Sequence, residues 1–267
     1  MDSKQPLLRP DLKRLKICNH HGDFERQNNL PSARVIMREN PDIDIYEIDF
    51  IDFQSKFTSS HDYEKRNIDD GAPLKSWIAE VCVNRNKILY VDLKVDVNLA
   101  YIFWWGGVEW KFDCRRLFKE LEKLRKKYRK KGVDICKYIW LTSQDFDVAK
   151  KLNSINQFDE KRRWTCIIDA PYVNYYIWQY ALPGCMMGIL GNRTSNDFLT
   201  YVFDSEIIAL DYSFFGQDIV RFVESSTIRP GSTILLYSFE LGTKPIEIPG
   251  HNVIMTYNYR QKKKKSI

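Results

Sequence analysis

The chain has 267 residues, 44% hydrophobic and 14% aromatic, which suffices for a full core and excludes wholesale disorder. Its formal net charge is +6, and most of that excess sits in two runs, 123–131 and 260–265, so the surface as a whole need not be basic, and a nucleic-acid-binding protein is the weakest reading, resting on the lysine runs alone. No stretch approaches the ~18–20 apolar residues of a membrane span. The opening MDSKQPLLRPDLKRLK has no secretory apolar core, so a cytoplasmic location is expected. Cys18, Cys82, Cys114, Cys136, Cys166 and Cys185 show no C-x-x-C spacing and read as buried thiols rather than disulfides. Asn192 heads a glycosylation acceptor that would matter only on export.

In chain order, residues 1–14 are a polar lead-in and 15–18 a short first strand, after which His20-His21-Gly22 opens a polar loop. Residues 30–38 read as a helix capped by Asn29, with Pro31 in its first turn and a stop at Asn40-Pro41. Residues 43–53 alternate as a second strand, and 56–60 extend the sheet and present His61. A helix over 72–85 places Leu74, Trp77 and Val81 on one face, and 87–95 is the third strand. Residues 98–110 are aromatic-rich and broken by Gly106-Gly107; Trp104, Trp105 and Trp110 there could line a pocket, as could Tyr257 and Tyr259 near the last strand. The helix over 114–131 carries the stripe Leu117, Leu121, Leu124 and Tyr128 on an otherwise charged surface and ends at Gly132. Further strands are expected at 138–142, 165–168, 207–212, 233–239 and 253–257, with 186–190 an additional apolar run. Helices are expected near 145–153, 172–181, 196–204 and 217–224. This alternation implies parallel strands with crossover helices, hence a single α/β domain of the (β/α)8 TIM-barrel type over 15–259, followed by a basic tail, 260–267.

Three of the four histidines, His20, His21 and His61, fall between residues 19 and 62. Glu47 and Asp49 lie two apart on one strand and so share a face. Asp92 interrupts an apolar strand, with Lys94 two residues on; a structural Asp92–Lys94 ion pair is the bland alternative. Three carboxylates suit a hard divalent cation, two imidazoles suit proton transfer, and a lysine suits a phosphate. His20 and His21 cannot both enter a barrel mouth if their strand stays extended.

His20-His21-Gly22, Gln27-Asn28-Asn29, Glu47-Ile48-Asp49, His61-Asp62 and Asp92-Leu93-Lys94, in this order, resemble the motifs of the glycerophosphodiester phosphodiesterases and the related spider-venom-type phospholipases D, the phospholipase C-like phosphodiesterase barrels. Histidine stands where that family has the arginine of His-Arg-Gly, and glutamine where it has the glutamate of Glu-Asn-Thr. The third acidic position is Asp, as in the venom-type branch. The resemblance implies a Mg2+-dependent phosphoric diester hydrolase, with Ca2+ as the alternative cation, acting on glycerophosphodiesters or phospholipid head groups by hydrolysis or by transfer to a cyclic phosphate. It implies metal ligands Glu47, Asp49 and Asp92, catalytic His20 and His61, and phosphate contacts from His21 and Lys94. Asp62 would orient its loop or His61. The charges of 115–131 are expected to be a solvated helix face, with contact to a peripheral membrane surface the functional variant. The His21 and Gln27 departures motivate a different class, a catalytically silent barrel that binds phosphorylated ligands or a protein partner.

Overall fold

A computed structural model describes residues 11–23, 25–61, 69–94, 113–143, 148, 151–152, 154–155, 164–166, 168–169, 206–212, 219–225 and 228–260. The expected elements at 98–110, 172–181, 186–190 and 196–204, most of 145–153, residues 1–10 of the lead-in, and tail residues 261–267 lie outside this set, as do Cys185 and Asn192.

Ten strands share one sheet: β1 (Ile17–His20), β4 (Ile45–Phe53), β5 (Lys56–Ser59), β6 (Ile88–Leu93), β7 (Ile139–Thr142), β8 (Thr165–Cys166), β9 (Ile168–Asp169), β10 (Ile207–Asp211), β11 (Thr233–Glu240) and β12 (Asn252–Asn258). The short strands β2 (Gly22–Asp23) and β3 (Arg26–Gln27) pair only with each other. The sheet order is β8-β7-β6-β4-β1-β12-β11-β10-β9, with every adjacent pair parallel. β8 and β9 are one residue apart in the chain yet pair with opposite ends of that order. Counted together as one position, β8 and β9 bring the two ends of the order together, and the described strands trace the eight-stranded parallel ring expected of a (β/α)8 barrel. The exception to parallel pairing is β5, which runs antiparallel beside β4. Only Gln54 and Ser55, both left-handed (φ 47° and 63°), separate the two strands, and such a two-residue turn can only reverse the chain.

Side-chain alternation sorts the apolar residues into two cores. Cys18, Ile45, Ile88, Tyr90, Trp140, Ile207, Ala209, Leu235 and Ile254 point into the ring, and Leu12 and Leu15 pack against them. The intervening residues, among them Tyr46, Ile48, Phe50, Leu89, Val91, Ile139 and Leu141, face outward under the helices. Helix α1 (Leu30–Glu39) is capped by the Asn29 side chain accepting from Ser32 N, and buries Ala33, Ile36 and Met37. Helix α2 (Leu74–Trp77) widens into a π turn over Ile78–Val83, where a regular helix over 72–85 is expected. The widened turn keeps Ile78, Val81 and Cys82 buried while Glu80 meets Arg34 and Arg85, at 2.9 and 3.0 Å. Helix α3 (Cys114–Arg129) starts at Asp113, which accepts from Arg116 N, and buries Leu117, Leu121 and Tyr128; a shorter α4 spans Ile219–Ser225. Arg116 ties α3 to β4 by pairing with Asp52 and lying over the Phe57 ring. Among the described residues the five cysteines are free thiols, four of them buried. No helix among them is long and apolar enough to cross a membrane.

Candidate active site

The candidate site is a continuation of the inward-facing rows. His20 follows Cys18 by two residues, Glu47 and Asp49 follow Ile45, and Asp92 follows Tyr90, so all four inherit the inward direction toward the C-terminal ends of their strands. Register places His20 beside Glu47 and Asp49 beside Asp92, giving two stacked levels. Glu47, Asp49 and Asp92 are all buried, and one oxygen from each lies within 4.8 Å of the others.

The two adjacent histidines come together, against the expectation for an extended strand. His21 is left-handed (φ 57°), which turns its ring back so that it stacks on His20 with centroids 3.5 Å apart. Gly22, also left-handed, carries the turn beneath α1, where any Cβ would lie 2.8 Å from that of Ala33. His21 Nδ1 lies 2.8 Å from Asp49 Oδ2 and 3.6 Å from Glu47 Oε2; the first is a close ion contact whose ring N–H is not aligned for a hydrogen bond. His20 keeps an edge exposed, with Nδ1 2.9 Å from Asn258 Oδ1 and Nε2 3.5 Å from Glu47 Oε2. An amide oxygen only accepts, so this pairing puts the proton on Nδ1 and leaves Nε2 bare. His61 sits exposed at the rim, its ring 5.9 Å from that of His21 and edge-on to it.

Lys94 Nζ donates to Asp92 Oδ2 at 2.5 Å and lies 3.1 Å from Asp49 Oδ1 without hydrogen-bond geometry. Asn28, left-handed and buried, bonds to Asp49 through both ends of its amide. Neither Asn28 nor Asn258 was expected at the site. The parity of β12, in which Ile254, Thr256 and Asn258 alternate inward, was a usable signal for Asn258. Gln27, by contrast, is exposed. Asp62, Trp104, Trp105 and Trp110 lie outside the described residues.

Three carboxylates face two cations in this small volume, so full ionisation would leave one negative charge in excess. Burial, then the charge of His21, pushes His20 down to about 3, so its ring is neutral. Burial opposes charge on His21 as well, but Asp49 and Glu47 outweigh it and raise the ring to about 9. Burial raises Glu47 to about 8, with Asp49 and Asp92 adding to the rise. Asp49 stays ionised: burial works against it, and His21 and Lys94 prevail. Burial also raises Asp92, against the pull of Lys94. The donor set fits a hard divalent cation. All three groups offer oxygen, and Asp49 Oδ1 and Asp92 Oδ1 are buried acceptors with no hydrogen bond.

No protein-family model and no curated protein matches this chain. Solved structures do. The glycerophosphodiester phosphodiesterase of Agrobacterium tumefaciens superposes with a TM-score of 0.51 at 12% identity, covering 91% of this chain and 96% of that one. Two proteins assigned by name to the same activity match similarly. That of Silicibacter pomeroyi has a TM-score of 0.54 and 10% identity, over 91% of this chain and 89% of the other. That of Galdieria sulphuraria has 0.50 and 14%, over 84% of each. The chain thus has the barrel fold of glycerophosphodiester phosphodiesterases, the fold that its five ordered motifs led one to expect. At these identities the likeness is one of fold, and the chemistry rests on the residues at the mouth.

Proposed function

We propose that this chain is a Mg2+-dependent phosphodiesterase acting on glycerophosphodiesters or phospholipid head groups. The observation that carries this reading is the convergence of Glu47, Asp49 and Asp92, with Lys94 and the His20–His21 pair beside them, at the C-terminal mouth of the barrel. The names of the structural neighbours support the substrate class. Glu47, Asp49 and Asp92 would hold the cation, with Ca2+ the alternative; when bound, it would neutralise the phosphoryl oxygens and stabilise charge developing on them. Lys94, and His21 held charged by Asp49, would supply positive charge to the same phosphate; an imidazole does this with one N–H where an arginine offers a fork. The bare Nε2 of His20 is placed to accept a proton from water or from a substrate hydroxyl. His61, at the rim, is the candidate to protonate the leaving oxygen. The free thiols suit a reducing, cytoplasmic setting, while contact with a peripheral membrane surface would depend on the charged face of α3.

The position of Lys94 supports a second reading. Its ammonium touches both Asp49 and Asp92, and a barrel balanced in this way could bind phosphorylated ligands without turning them over. Purified protein assayed on glycerophosphocholine, lysophospholipid and sphingomyelin with Mg2+ or EDTA separates the two. Chelator-sensitive release of a head group is expected. Binding of glycerophosphate with no turnover of any of the three, in Mg2+ or Ca2+, would establish the silent barrel instead.

A further inference from the structure

We infer that Asn28 is a positioning residue that fixes Asp49 as a ligand, by anchoring one carboxylate oxygen so that the other faces the cation site without a hydrogen bond of its own. Its main chain is pinned on both sides: its N–H donates to His21 O at 2.9 Å, and its carbonyl accepts from Ser59 Oγ at 2.7 Å. Ser59 Oγ in turn accepts from Ala72 N at 2.9 Å, and Ser60 N donates to Asp49 O at 3.1 Å. Asn28 is thereby tied to the His21 turn and to the β4–β5 hairpin, with almost no freedom to shift.

From that fixed point its amide spans Asp49. Asn28 Oδ1 accepts from the Asp49 backbone N–H at 2.9 Å, and Nδ2 donates to Asp49 Oδ2, also at 2.9 Å. The two bonds close a ring through the Cα, Cβ and Cγ of Asp49 and so set both of its side-chain torsions. Oδ2 is occupied by Asn28 and His21, whereas Oδ1 is buried without a hydrogen bond and has only the Lys94 ammonium, 3.1 Å away, which a cation would displace or share. The geometry is particular to asparagine. The site needs a donor and an acceptor at the two corners of a short planar group, on a residue with φ 61°. Asparagine is among the few non-glycine types that adopt this conformation readily. Aspartate would set an oxygen against Oδ2, and glycine keeps the backbone but removes the clamp.

This inference rests on the reading of Asp49 as a cation ligand, and its test keeps the two apart. Mn2+ and Mg2+ affinities are measured by calorimetry on the wild type, Asn28→Gly and Asn86→Gly. Asn86 is exposed and also left-handed (φ 54°), so Asn86→Gly controls for the loss of a left-handed asparagine by itself. The expected result is cation binding weakened by about 10–100-fold in Asn28→Gly, the usual scale for a group supporting a ligand, with Asn86→Gly equal to wild type and both variants giving the native circular-dichroism spectrum. Ser59→Ala, which frees the Asn28 carbonyl, is expected to fall between. Wild-type binding matched within twofold by a folded Asn28→Gly overturns the role of Asn28 alone. Absence of cation binding by the wild type overturns the reading of Asp49 and the inference with it.

Discussion

The lower and upper interiors of the barrel are built on the same strands, two residues apart, and obey opposite rules. Below, Cys18, Ile45, Tyr90 and their neighbours fill the ring with apolar volume. Above, Glu47 and Asp92, each the next inward residue, are buried ionisable groups, and His20 beside them keeps one edge exposed. The lower level gains from burial, at roughly 1.5–3 kcal/mol for a large apolar side chain. The upper level loses by it, since each buried charge needs a partner, and Glu47, the third carboxylate beside two cations, is pushed up to about 8. A single strand thus carries stability and candidate chemistry in consecutive inward positions, and substitutions at the two levels should separate them.

Asp49→Asn is expected to have the largest effect, abolishing Mg2+-dependent turnover while leaving the fold intact, as read by head-group release beside circular dichroism. Full turnover by this variant in limiting Mg2+ would remove Asp49 from the site. One level down, Trp140→Ala should do the reverse. Truncating this buried ring is expected to cost about 3–5 kcal/mol in urea unfolding, with activity per folded molecule retained. His20→Ala and His61→Ala should each lower turnover about 10²-fold, the usual scale for a general acid or base, and His21→Ala by less. A larger loss for His21→Ala than for His20→Ala would exchange their roles. The smallest effect is expected outside the barrel. Although burial works against it, the hydrogen bond and charge of Arg125 hold Asp134 below the usual carboxylate range. A depressed folded-state value means stabilisation present above the unfolded value of about 4 and lost as pH falls through the folded one. Asp134→Asn should therefore cost about 1 kcal/mol or less at neutral pH, and the gap from wild type should close in acid unfolding titrations.

Strand parity made much of this legible in the sequence. Alternation in 43–53 put Glu47 and Asp49 on one face, and the apolar run around Asp92 marked a buried carboxylate; both lie where parity put them. The eight ring strands were likewise readable, because inward and outward rows are both apolar and turns punctuate them. What parity could not supply was backbone that leaves the strand. His21 stacks on His20 because of a left-handed residue, and Asn28 reaches Asp49 from a turn 21 residues earlier in the chain. Neither the alternation of a strand nor the period of a helix encodes such a conformation. Residues 56–60 were readable as an extension of the sheet, but not the antiparallel direction of β5, because Gln54-Ser55 lacks the Asn-Gly or Asp-Gly signature that announces a tight reversal.

The pairing of β1 with β12 has a consequence for how the molecule is made. β1 precedes every other ring strand in the chain, yet its second neighbour follows only at the far end of the barrel, and His20 meets Asn258 across 238 residues of chain. Until β12 appears, β1 offers an unpaired edge, the kind of surface that invites association between nascent chains. Loop-closure entropy adds to the delay, because so distant a contact is rewarded only after most of the intervening chain has been ordered. The imidazole at the mouth is thus completed by the last of the described ring strands, and a product truncated before β12 would present His20 without its Asn258 partner.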